Sequence, residues 1–103
     1  MLFIQVNHGL ILSLWDAGQM QSEAATDPPA GIACITLSHN LAGTADVDRV
    51  MAEAGTAGAR IVAVPKTQPW GGYTGYFADP DGYRWEVAFN PDWSVDGDGK
   101  VTL

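Results

Sequence analysis

Cysteine is almost missing from this chain. Cys34 stands alone among 103 residues, which excludes an internal disulfide framework and any metal site built from cysteine alone. Basic residues are scarce too. Arg49, Arg60, Lys66, Arg84 and Lys100 are scattered against twelve acidic residues, for a net charge of −7. That balance argues against nucleic acid, whose phosphates need clustered Lys and Arg. Long hydrophobic runs are lacking as well: the densest, LILSLW at residues 10–15, is far too short to span a bilayer. The opening MLFIQVNH has neither a basic n-region nor a small-residue cleavage site, so it does not read as a secretory signal. The expectation is a soluble, cytoplasmic protein with no membrane partner.

Against these absences stand a hydrophobic content of 47% and an aromatic content of 10%, which speak for a packed core rather than disorder. A chain of this length is one domain by default, and it buries roughly two thirds of its unfolded surface. The acidic balance keeps the surface soluble and would attract cationic small molecules.

Residues 2–6 and 10–15 are β-rich runs around Asn7–Gly9, a hairpin signal. The second run is apolar at nearly every position, as in a strand covered on both faces. Residues 16–30, DAGQMQSEAATDPPA, are small, polar and proline-bearing and read as a linker. Residues 31–40 read as a strand with Ile35 and Leu37 on one face and Cys34, Thr36 and Ser38 on the other. A helix follows, with Thr44 as N-cap, a stripe of Val47, Val50, Met51 and Ala54, and Gly58 as its stop. Next come a strand over RIVAVP ended by Pro65, a loop KTQPWGG, a strand YTGYFA, a tight DPDG turn and a last strand, Tyr83–Asn90, stopped by Pro91.

The stretch WGGYTGYFADPDGYRWEVAFNP, residues 70–91, closely resembles the closing hairpin of the vicinal oxygen chelate superfamily, which includes glyoxalase, bleomycin-resistance and extradiol dioxygenase proteins. The tail DWSVDGDGKVTL resembles endings in that group. The resemblance implies an α+β fold in which two βαβββ modules form a cleft. Residues 31–90 look like one complete module, residues 1–15 like a remnant of the first, and residues 91–103 like a C-terminal tail. The first strand, helix and second strand of module one have no counterpart. A half-built sheet exposes strand edges and the apolar run 10–15, so a homodimer is expected, with strand exchange across the linker as one route. A start codon placed too late is the rival explanation.

The resemblance bears most directly on Glu86, a carboxylate set inside an otherwise packable strand. Alternation puts Tyr83, Trp85, Val87 and Phe89 on one face and Arg84, Glu86, Ala88 and Asn90 on the other. The glutamate of the corresponding family strand is often a metal ligand, with His, Gln or Glu from other strands. Here Cys34 stands at the usual histidine place and Leu12 at a usual glutamate place, so the ligand set is short. His8 and His39 are poorly placed to complete it. The expected cleft set is Cys34, Thr36, Ser38, Trp70, Tyr73, Tyr76 and Glu86, suited to a flat or cationic organic ligand. The leading expectation is a small-molecule binder with no cofactor. The alternative is a divalent-metal lyase, isomerase or dioxygenase with Glu86 as ligand. A bland role for Glu86 is a cleft carboxylate satisfied by Arg84, a tyrosine hydroxyl or water. Ser38–His39 point to opposite faces, wrong for a nucleophile–base pair. DGDGK, residues 96–100, has the core of a calcium loop but lacks its terminal glutamate, and reads as a turn.

Overall fold

Glycine and proline placement explains much of the architecture. In the computed structural model, residues 1–7, 9–24 and 35–103 are described; Cys34 and His8 lie outside them. The elements are β1 (Leu2–Asn7), β2 (Leu10–Leu14), α1 (Ala17–Ala24), β3 (Thr36–Asn40), α2 (Thr44–Thr56), β4 (Arg60–Thr67), β5 (Tyr73–Ala78), β6 (Arg84–Phe89), β7 (Ser94–Val95) and β8 (Val101–Thr102). The run from β3 to β6 is the expected βαβββ module. Its sheet has the order β3-β6-β5-β4, with β3 parallel to β6 and the other pairs antiparallel.

α2 covers one face of that sheet. Its stripe of Val47, Val50 and Met51 meets Leu41, Tyr73, Phe77, Val87 and Phe89. Val47 and Val87 are fully buried, and each such side chain contributes about 1.5–3 kcal/mol by leaving water. Gly75 makes the approach possible: a methyl there would lie 3.0 Å from the Pro65 ring and 3.1 Å from Met51. The helix is capped by Gly43 in extended conformation, with no side-chain cap. Thr44, expected as N-cap, is instead the first helical residue. At the other end Gly58 adopts φ +96°, while Gly58 N–H donates to Gly55 and Ala59 N–H to Ala54. These two bonds form a Schellman stop, which needs a residue tolerant of positive φ.

Three further expectations are corrected. The segment read as a linker opens with a helix, α1, because the Asp16 carboxylate accepts the Gln19 N–H at 3.1 Å and so caps its first turn. Pro65 does not end β4. The strand continues to Thr67 because it is an edge strand whose register with β5 slips between Ala63 and Lys66, and a bulged edge tolerates a missing N–H.

The third correction concerns the N-terminal hairpin. Among the described residues of one chain, β2 is not covered on both faces. One side of the hairpin meets the tail: Phe3 packs edge-on against Trp93, and Gln5 donates to Val101. The other carries Leu2, Ile4 and Val6 of β1 beside Leu10, Leu12 and Leu14 of β2, each between 42% and 57% exposed. The tail folds as a β7–β8 hairpin, and Asp96 spends its Oδ1 accepting Asp98 and Lys100 N–H groups at 2.9 Å. DGDGK is therefore a turn, as expected. Among the described residues, no helix is long and apolar enough to cross a membrane.

Candidate functional site

The sheet face opposite α2 is built by alternation. Thr36 and Ser38 of β3, Arg84, Glu86 and Ala88 of β6, and Thr74, Tyr76 and Ala78 of β5 share it. Register aligns Ser38, Glu86 and Tyr76 in one row across three strands. The Ser38 hydroxyl donates to Glu86 Oε1 at 2.8 Å and the Tyr76 hydroxyl to Oε2 at 2.7 Å. Glu86 is 7% exposed and Tyr76 1%. A buried carboxylate is costly unless hydrogen-bonded, and here a hydroxyl reaches each oxygen. A charged acceptor makes such bonds roughly twice as strong as neutral ones.

Tyr76 also meets a second carboxyl. Glu23 of α1 places Oε1 2.9 Å from its hydroxyl. Burial, opposed by the Tyr76 bond and reinforced by the charge of Glu86, holds the Glu23 carboxyl above its ordinary value; Lys66 pulls weakly the other way. Burial, then the charge of Glu86, pushes the Tyr76 hydroxyl far up, so it remains a donor. Nothing in the pattern of residues 16–30 singles out Glu23: it lies on no apolar periodicity, and its partner is 53 positions away. Nearby on the same face, buried Gln68 donates to buried Thr74 at 2.8 Å. A buried Gln in the loop after β4 is likewise invisible to periodicity.

The structure sorts the expected set. Ser38, Tyr76 and Glu86 converge. Thr36 shares their face, and its buried Oγ1 lacks a hydrogen-bond partner among the described residues. Tyr73 does not join them. It lies on the α2 side, where its hydroxyl donates to Asp48 at 2.6 Å, because an odd spacing on a strand reverses the face. Trp70 folds back on Gly72, where a methyl would lie 1.9 Å from the indole, and it is 48% exposed. Cys34 falls outside the described residues. A concavity of about 770 Å³ at the C-terminal end of α2 is lined by Ala54, Ala57, Phe77 and Pro80 among others and includes neither Glu86 nor Tyr76.

A divalent metal needs several oxygens, or three protein ligands for catalytic zinc. Among the described residues no three His, Cys, Asp or Glu side chains converge. Glu86 already accepts from two hydroxyls, and the Glu23 carboxyl meets it across the shared Tyr76 hydroxyl. Among the described residues, this donor set does not make up a metal centre; Cys34 and His8 lie outside them.

Residues 16–87 match the family model described as "Glyoxalase/Bleomycin resistance protein/Dioxygenase superfamily". Among solved structures, the chain is similar to a glyoxalase-related enzyme from Fulvimarina pelagi, at 35% identity and a TM-score of 0.65, over 98% of this chain and 72% of that one. It is also similar in fold to a glyoxalase/bleomycin resistance protein/dioxygenase from Nocardioides, at 24% identity and TM-score 0.52, over 81% of this chain and 57% of the other. A family enzyme from Burkholderia phytofirmans PsJN matches at 21% identity and TM-score 0.53, over 70% of this chain and 55% of the other. The chain thus spans little more than half the length of the last two. No curated protein sequence matches the chain.

Proposed function

The chain belongs to the glyoxalase/bleomycin resistance protein/dioxygenase superfamily, and we propose that it is a small-molecule-binding protein that holds an organic ligand without a metal. The ligand sits on the sheet face of β3, β6 and β5. The observation that carries this reading is the engagement of both Glu86 oxygens by Ser38 and Tyr76, which makes the carboxylate a fixed acceptor rather than a free ligand. With Glu23 beside it and a net charge of −7, the face suits an organic cation. Thr36 Oγ1, buried and without a hydrogen-bond partner among the described residues, lies on the same face.

The test is a thermal-shift and fluorescence screen of flat organic cations against neutral and anionic analogues, with metal analysis of the same preparation. A cation that raises the melting temperature, and does so no longer with Glu86→Gln, supports the reading. A stoichiometric divalent ion that is lost with Glu86→Gln overturns it in favour of a metal-dependent lyase, isomerase or dioxygenase.

A second copy of the chain is proposed to cover the aliphatic face of β1 and β2. A two-stranded hairpin is at best marginally stable alone, and an uncovered face of six aliphatic side chains is what an association surface presents.

A further inference from the structure

The Tyr76 hydroxyl faces two carboxyls at once, Glu86 Oε2 at 2.7 Å and Glu23 Oε1 at 2.9 Å. A phenol has one proton to give. Glu86 takes it at the shorter distance and is held on its other oxygen by Ser38. The lone pairs of the Tyr76 oxygen are then left facing Glu23. If Glu23 is ionised, that contact sets two electron-rich oxygens against each other beside the charge of Glu86. If Glu23 is protonated, its O–H donates to Tyr76 and the row closes as Glu23 to Tyr76 to Glu86. From this proton count we propose that α1 is a pH-sensitive strap: protonated Glu23 pins the helix across Tyr76, and ionised Glu23 lets it go.

The surroundings agree with the geometry. Among the described residues, Tyr76 from β5, Glu86 from β6 and Lys66 from β4 act on the Glu23 carboxyl; burial, with the charge of Glu86, holds it above the ordinary 4.5 against the lowering pull of the Tyr76 bond and Lys66. A carboxyl raised in this way gives full docking below 4.5 and loses it as pH rises through the elevated value. α1 is eight residues long, too short to be stable unless docked. Gly18, Gln19 and Ser22 are exposed, and Met20 is half-buried. That release of the strap opens a ligand face rests on the binding reading above; the strap itself does not.

Amide hydrogen exchange over residues 17–24, corrected for intrinsic rate at each pH, tests the strap without any ligand. Amides of α2 serve as the internal check of folding. In the wild type, protection of α1 falls by roughly tenfold, the size of one net hydrogen bond, as pH rises through the elevated Glu23 value. Glu23→Gln, whose amide N–H donates to Tyr76 without titrating, keeps α1 protected at every pH. Glu23→Ala leaves it unprotected at every pH. Wild-type protection that does not change with pH overturns the proposal, as does Glu23→Gln behaving like Glu23→Ala. A failed ligand screen with this exchange pattern intact would sink the binding reading alone.

Discussion

Tyr73 and Tyr76 lie on one strand and donate to carboxylates on opposite sides of the sheet, Asp48 at 2.6 Å and Glu86 at 2.7 Å. The two bonds differ in environment. Asp48 is on the exposed side of α2, whereas Glu86 is buried. Tyr73→Phe is expected to change stability by about 0.5 kcal/mol or less, with ligand binding untouched. Tyr76→Phe strips a buried carboxylate of a donor and should cost about 1–3 kcal/mol. Urea midpoints of the two variants at constant m-value decide this; equal losses would contradict the assignment of faces.

Asp79 organises the turn before β6. Its Oδ1 accepts the Asp81 and Tyr83 N–H groups, and its Oδ2 the Trp85 indole N–H, each at 3.0 Å. The Trp85 bond first, helped by the backbone donors, holds the Asp79 carboxyl below its ordinary 3.8. A depressed acid contributes its stabilisation above 3.8 and loses it as pH falls through the lowered value. The Trp85 indole proton resonance should therefore hold steady down to that value and move below it. In Asp79→Asn the acid-range shift should disappear.

Gly75→Ala should be destabilising by about 1–3 kcal/mol, the usual cost of overpacking. The added methyl meets the Pro65 ring at 3.0 Å and Met51 at 3.1 Å. Met51 can turn aside, but the proline ring is fixed to β4. A thermal melt checks the loss, and Gly75→Ala combined with Met51→Ala, which opens a core cavity of its own, should cost less than the two single losses added together.

Light scattering addresses the aliphatic face of β1 and β2. The wild type is expected at twice the chain mass, and Leu12→Lys, which places a charge at the middle of that face, at the chain mass. A wild type that stays monomeric at micromolar concentration removes the second copy from the proposal.

Alternation made Glu86, Ser38 and Thr36 readable as one face, since period two needs no tertiary knowledge. The α2 stripe was readable for the same kind of reason. Tyr73 was open to the same rule, and an aromatic cluster around residues 70–76 hides the face reversal that separates it from Tyr76. Glu23 was not readable, because its role depends on where α1 lands relative to β5. Pro65 misleads because a proline marks a strand end only when the strand is interior, and edge position is a property of the whole sheet.

The bulge at Pro65 has a consequence for crowded solutions. β4 offers any incoming ribbon a missing donor and a stepped ladder, while β3, at the opposite flank, carries no proline. Among the described residues, strand addition to this sheet is thus less favoured at the β4 flank than at the β3 flank. A flank that resists strand addition makes it harder for the sheets of neighbouring molecules to join edge to edge there.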